Sequence, residues 1–201
     1  MRHLDRLRLL HGLVPLLVAC STQPPGRTPP VAEPEVTSRL LAELAHEDQA
    51  TRGGQPVTRT DQERIRLVLA GLGRGAVRTP QDRLNAALVL QHTGMTFCAG
   101  QLVSVSPDNY LLAHHLASAA FDAGLADARY LVAQTIDRYL SMTQGFQKYG
   151  TNRFTNQQTG QEEFTPIDRA TTDAERAKYG VPPLAELLKQ FPEQRRKPPA
   201  P

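Results

Sequence analysis

The sequence predicts an all-α fold: an irregular bundle of about five to seven helices, with one antiparallel helical hairpin and a long ordered loop near the C-terminal third. Apolar residues recur at a spacing of three or four, which is typical of helices and not of strands. Ser, Thr and Pro stand where these patterns begin, and Gly stands where they end. The length suits a single domain, which we expect at residues 36–191.

The first three helices are each predicted from a start signal and an apolar stripe. The first begins at Thr37 or Ser38, and the third begins at Thr79. The second begins at Thr60 with Glu63 three residues later, which is a capping box. The stripes are Leu40, Leu41, Leu44 and Ala45, then Ile65, Val68, Leu69 and Leu72, and then Leu84, Ala87, Leu88 and Leu90.

A pair of alanine-rich helices follows. One begins after Pro107, since proline is favoured at the first helical position, and ends at Gly124. The other covers about 126–143 and ends at Gly145. Their short connection predicts an antiparallel helical hairpin, and small side chains allow the two helices to approach closely. We expect residues 95–106 to form a loop before this pair.

The C-terminal third is less regular. Residues 146–170 predict a long ordered loop or a small hairpin around Thr159 and Gly160, and loops of this length are usually functional or disordered. A short helix is expected from Thr172, and a last helix after Pro183. We expect residues 192–201 to form a disordered tail.

The N-terminus carries the features of an export signal. Three arginines precede an apolar run that is too short to span a bilayer. The run ends in Leu17, Val18, Ala19 and Cys20, which resembles a bacterial lipobox. This resemblance implies a signal peptide at 1–19 and acylation of Cys20, which would anchor the chain in a membrane. Residues 20–35 contain five prolines and predict a flexible linker.

Charge and composition limit the class of function. The predicted signal peptide contains three arginines and one aspartate, so its removal lowers the formal charge from +3 to +1. Aromatic residues are sparse and basic residues form no recognisable binding motif, so we expect no nucleic-acid partner. His114 and His115 are neighbours on a helix and point apart, and no zinc-ligand spacing lies near them. We therefore predict no metal and no cofactor.

Several polar segments resemble a bacterial domain family of unknown function over roughly residues 40–188. The resemblance rests on a Gln-His pair, an Asp-Arg pair on a helix and a Gln-x-Tyr-Gly-Thr segment, which here are Gln91 and His92, Asp137 and Arg138, and Gln147, Tyr149, Gly150 and Thr151. The family usually has Gln where this chain has Asn152. No activity is implied by this resemblance. Together with the lipobox it is typical of a bacterial lipoprotein, and Ser21 after the cysteine favours the periplasmic face of the outer membrane.

These segments supply the candidate site. His92 can act as an acid or base with Asp137 orienting it. Arg138 can bind an anion, and Gln147, Tyr149 and Thr151 can donate hydrogen bonds to a polar ligand. The structural alternatives are that His92 caps its helix, and that Asp137 or Arg138 holds the 147–152 segment through backbone hydrogen bonds.

Two functions remain open from the sequence. We expect a noncatalytic binding or scaffolding module at the cell envelope, with an envelope ligand or protein as its partner. The alternative is a hydrolase-like envelope enzyme that uses His92 and Asp137 beside the polar loop. Cys98, the cysteine left after acylation, is expected to be buried or to pair with another molecule.

Overall fold

The computed structural model describes residues 35–98, 101–156 and 159–193, without the side chains of 95–98 and 101–103. The predicted signal peptide, Cys20 and almost all of the predicted linker lie outside the described residues, and so does the side chain of Cys98. No helix in the described part of the chain is long and apolar enough to cross a membrane.

The described residues form seven α-helices and two small antiparallel hairpins, which confirms the predicted all-α class. In chain order they are α1 Ser38–Arg52, α2 Asp61–Gly73, α3 Pro80–Leu90, β1 Met95–Cys98, β2 Gln101–Ser104, α4 Asp108–Asp122, α5 Arg129–Gln144, β3 Arg153–Thr155, β4 Glu162–Phe164, α6 Asp173–Lys178 and α7 Leu184–Gln190. A single 3₁₀ turn at Ala126–Ala128 precedes α5.

Helix starts follow the predicted capping residues. The hydroxyl of Thr37 accepts a hydrogen bond from the backbone of Leu40 and caps α1. Thr60 and Thr172 form complete capping boxes at α2 and α6, each with a glutamate three residues later. Each box satisfies backbone donors that the first helical turn would otherwise leave unpaired.

The main core lies between α1, α3, α4 and α5, with α2 against α3. Ala113, Ala117 and Ala120 of α4 are fully buried, as are Ala128 and Ala133 on the side of α5. Helix α4 packs against α5, as expected for the helical hairpin.

Two details differ from the sequence prediction and one agrees with it. The expected loop at 95–106 contains the β1–β2 hairpin, in which Met95 pairs with Ser104. The hairpin expected near Gly160 is present as β3–β4. The disordered tail cannot begin at 192, because the backbone N–H of Phe164 donates to the carbonyl of Pro192 at 2.8 Å and Glu193 pairs with the same strand.

A second, smaller core lies beneath the loop between α5 and β3. It contains Ala133, Tyr149, Phe164, Ile167, Val181 and Leu187. Helices α6 and α7 contribute to it from the C-terminal side. The polar segment of 147–152 is therefore sandwiched between α5 and the C-terminal elements.

Candidate functional site

The carboxylate of Asp137 holds the polar loop. Asp137 is fully buried on α5, and one oxygen accepts the backbone N–H groups of Lys148 and Tyr149 at 2.7 and 2.8 Å. The other oxygen accepts the backbone N–H groups of Gly150 and Thr151, both at 2.9 Å, and the Thr151 hydroxyl at 2.8 Å. Burial raises the pKa of Asp137, against these hydrogen bonds, which act to lower it. All five of these hydrogen bonds come from residues 148–151.

Gln147 closes the same loop from the inside. Its side-chain amide donates to the carbonyls of Asn152 and Thr165, and its side-chain oxygen accepts the backbone N–H of Asn152 at 2.8 Å. Gln147 is fully buried. The amide is therefore fully used within the chain, which is the pattern of a structural residue.

Arg176 supports the loop from α6 and was not predicted. It is almost completely buried and donates to the backbone carbonyls of Tyr149, Asp168 and Thr171. A guanidinium with five donors can satisfy several carbonyls at once. The one sequence signal was its position, four residues after the Thr172 cap and in the last turn of a short helix.

These contacts bear on two sequence predictions. The side-chain amide of Gln147 and the hydroxyl proton of Thr151, both predicted to contact a ligand, form hydrogen bonds within the chain. Asp137 does not orient His92, because both of its oxygens bind the loop. The structural alternative for Asp137, a carboxylate that holds residues 147–152 by backbone hydrogen bonds, matches the geometry.

Tyr149 lies apart from His92 and Arg138. Its ring packs edge-on against Tyr179 at 5.2 Å between centroids, and it lines a polar cavity with His114, Lys148 and Lys178. His114 contacts the carbonyl of Val132 through Nδ1 at 3.0 Å. The predicted ligand-binding set is therefore divided between two sides of the molecule.

His92 pairs with Asp48. The Nδ1 atom of His92, in the turn after α3, lies 2.6 Å from a carboxylate oxygen of Asp48 on α1. Asp48 is almost completely buried, and His92 is mostly buried. A carboxylate at this distance can accept a proton from Nδ1, which leaves Nε2 as the acceptor of the ring. This corrects both earlier interpretations of His92, since its ring neither contacts Asp137 nor caps the end of α3.

Arg138 points away from Asp137, as expected for adjacent helical residues. Its Nη1 donates to the carbonyl of Gln91 at 3.0 Å. Its Nε is buried and has no hydrogen-bond partner among the described residues. Burial lowers the pKa of Arg138, and the nearby Arg52 acts in the same direction, whereas Tyr110 and the charge of Asp48 act to raise it. Within the described part of the chain, no carboxylate forms an ion pair with it.

His92 and Arg138 line one cavity of about 340 Å³. This volume is at the lower end of the range for small-molecule sites, about 300 to 1,000 Å³. The remaining lining residues come from α1, α2, α4, α5 and the β3–β4 region, and they are Arg52, Asp61, Thr93, Gly94, Tyr110, Ser141, Met142, Asn152, Arg153, Phe154 and Thr165. The cavity thus joins the Gln-His turn, the face of α5 that carries Arg138 and the end of the polar loop.

The charges in this cavity are unevenly compensated. Arg52 forms ion pairs with Asp61 and, at 3.7 Å, with Asp48. Burial acts against the ionisation of Asp61, but the hydrogen bond and charge of Arg52 hold its pKa below the ordinary value. Arg153 lies 3.3 Å from Glu162. Of the three cavity arginines, Arg138 alone is without a carboxylate partner among the described residues.

The arrangement can bind a small anion and move a proton. Arg138 offers positive charge in a partly desolvated position, where an anion is bound more strongly than in water. Ser141 lies one turn further along α5, and its buried hydroxyl has no partner among the described residues. No group of three or more metal-ligating side chains meets within the described residues.

Sequence reasoning missed Asp48 as a member of the site. The available signal was its position three residues after Ala45, on the buried stripe of α1. A carboxylate on an apolar face must find a partner, because an unpaired buried charge is costly.

Comparison with known proteins finds no family model, no curated protein and no solved structure that matches the chain.

Proposed function

We propose that this protein is a lipid-anchored binding protein of the cell envelope, and that the cavity beside His92 and Arg138 binds a small anionic ligand. The observation that carries the proposal is Arg138, a largely buried guanidinium that has one carbonyl contact and no acidic partner among the described residues. Such a charge is costly without a counter-charge. A ligand carboxylate at Arg138 would supply it.

The polar loop supports this function indirectly. Asp137 holds residues 148–151, and the next residues, Asn152 and Arg153, line the cavity. A ligand-binding wall is more effective when its position is fixed before the ligand arrives. In this proposal the buried Asp137 and Gln147 are positioning residues, and they do not contact the ligand.

The membrane anchor is proposed from the N-terminal sequence. Acylation of Cys20 after removal of residues 1–19 would place the domain at a membrane, with the periplasmic face of the outer membrane as the expected location. Labelled fatty acid fed to cells should enter the wild-type protein and not a Cys20→Ser variant. Equal labelling of both, or labelling of neither, would contradict the anchor.

Binding is tested with acetate as the probe. Acetate should shift the NMR signals of the His92 ring and the Arg138 side chain saturably, whereas chloride at the same ionic strength should not. Arg138→Gln should abolish the shift. Arg39→Gln is the matched control, because Arg39 is an exposed arginine on α1 outside this cavity. A response that persists in Arg138→Gln would contradict the proposed site.

The second candidate function is an enzyme, and the contact between His92 and Asp48 favours it. In this case His92 is the acid or base, Asp48 orients its ring, and Arg138 holds an anionic substrate. Asp137 has no part in the chemistry.

A comparison of affinity with cellular function separates the two candidates. His92→Asn should preserve the melting temperature and the Arg138-dependent acetate response in both cases, because the side-chain amide nitrogen of asparagine can take the place of Nδ1 and donate to Asp48. If the protein is an enzyme, the variant should fail to complement a deletion of the gene. If it is a binding protein, the variant should complement the deletion.

A further inference from the structure

We propose that the ligand of the Arg138 cavity is a monocarboxylate with an apolar body, such as the acid end of an acyl chain. This inference rests on the proposed anion binding and specifies the class of ligand. It depends on three features of the cavity: the number of uncompensated charges, the shape of the charged group and the apolar part of the wall.

The charge balance favours one negative charge. Arg52 pairs with Asp61 and Asp48, Asp61 also pairs with the buried Arg64, and Arg153 pairs with Glu162. With His92 counted as neutral, these three arginines and Arg138 face three carboxylates, which leaves one positive charge in excess. Arg138 is the arginine of this group without a carboxylate ion pair among the described residues. A single carboxylate therefore neutralises the group, whereas a dianionic phosphate would leave an excess of negative charge.

The shape of Arg138 favours a planar anion. Nη1 donates to the carbonyl of Gln91. The opposite edge carries Nε, which has no partner within the described residues. A guanidinium edge matches the two oxygens of a carboxylate and can bind them with two parallel hydrogen bonds. A movement of the side chain toward the cavity would be needed to uncover Nε.

Part of the cavity lining is apolar. Met142, Phe154 and the ring of Tyr110 contribute to it, while the Tyr110 hydroxyl donates to the carbonyl of Thr93 and so keeps its polar end occupied. Met142 is 41% exposed and is one of four exposed large apolar residues in the described part of the chain. Met142 follows Arg138 by four residues, so both lie on the same face of α5. An exposed flexible thioether beside a cation suits an amphipathic ligand.

Isothermal titration calorimetry of the full protein with acetate, butyrate and hexanoate tests this inference. Burial of one methylene is worth about 0.8 kcal/mol, which corresponds to about a fourfold change in Kd. Because the cavity is partly open, we expect Kd to fall about two- to fourfold for each added methylene. Inorganic phosphate should bind more weakly than hexanoate.

Met142→Gln tests the apolar wall. It should remove most of the gain from acetate to hexanoate while leaving acetate affinity within about twofold. Leu69→Gln is the matched control, because Leu69 is 39% exposed on α2, away from this cavity. It should leave the whole series unchanged.

The possible failures are distinguishable. Carboxylates that bind through Arg138 with the same Kd at every chain length would contradict the apolar body and preserve the proposed anion site. Tighter binding of phosphate would do the same. The absence of binding by all probes would contradict the proposed function itself.

Discussion

The Nδ1 atom of His92 lies 2.6 Å from the carboxylate of Asp48, although the two residues are 44 positions apart and belong to different helical segments. This contact joins α1 to the turn after α3 at the edge of the Arg138 cavity. It also assigns a role to the ring, because the hydrogen bonds of a histidine decide which nitrogen carries its proton.

The first prediction concerns the tautomer of His92. Nitrogen NMR should find the proton on Nδ1 in the wild-type protein, since Asp48 accepts it. Asp48→Ala should shift the population toward the Nε2–H form. Asp61→Ala, which changes a carboxylate on another wall of the same cavity, should leave the tautomer unchanged. A wild-type ring protonated only at Nε2 would refute the assigned contact.

The second prediction concerns Asp137. Asp137→Asn replaces an acceptor oxygen by an NH₂ group that faces backbone donors, so it should lower the free energy of unfolding by about 3 to 5 kcal/mol. Chemical denaturation measures this change. Asp127→Asn, at an exposed position before α5, should change stability by less than about 0.5 kcal/mol. Similar small effects of both substitutions would show that the loop does not depend on the carboxylate.

The third prediction concerns Gly150, where the loop turns with φ of 97°. A Cβ there would lie 2.8 Å from a methyl of Leu187 and 3.1 Å from one of Ile167. Gly150→Ala should therefore cost about 2 to 4 kcal/mol from backbone strain and overpacking. Gly160→Ala has a similar φ with open space around it and should cost only about 1 kcal/mol. Equal costs in denaturant titrations would contradict the packing argument.

The fourth prediction is a pH dependence from His114. Burial lowers the pKa of His114 below 6.5, although the hydrogen bond that its Nδ1 donates to the carbonyl of Val132 acts to raise it, so the unfolded chain binds a proton more readily than the folded chain. Stability from this residue is present above about pH 6.5 and is lost as the pH falls through the folded pKa. When the pH is lowered from about 7.5 to about 5.5, the melting temperature of His114→Gln should therefore fall less than that of the wild type.

The adjacent His115 supplies the control for this experiment. His115 is exposed on the same helix, so His115→Gln should retain the acid sensitivity of the wild type. If His114→Gln and the wild type lose the same melting temperature, His114 does not contribute to the pH dependence.

The helices could be predicted because their signals are local. Thr60 with Glu63 and Thr172 with Glu175 fixed two starts, and the alanines of α4 and α5 indicated a close contact. The β1–β2 hairpin was missed because its four-residue strands are too short to show a reliable alternation.

The site could be predicted only in part. His92 and Arg138 were identified and lie at one cavity, but the partner of His92 was assigned incorrectly, because its ring contacts Asp48 and not Asp137. Two contacts depend on how distant segments pack: that of Asp48 with His92, and the hydrogen bonds of Asp137 to the loop. The spacing of residues in the sequence carries no information about that packing. A polar residue on an apolar stripe, as Asp48 is, was the one sequence feature that pointed to a buried partner.

Thermal unfolding of the wild type and Arg138→Met, with and without hexanoate, tests the central claim most directly. Arg138→Met removes a largely buried charge and also the hydrogen bond to the carbonyl of Gln91, so the decisive quantity is the change on adding ligand and not the melting temperature of the free protein. Hexanoate should raise the melting temperature of the wild type and not that of Arg138→Met, since a ligand stabilises the state that binds it. An equal rise with hexanoate in both proteins, or no rise in the wild type, would contradict a ligand-binding role for Arg138.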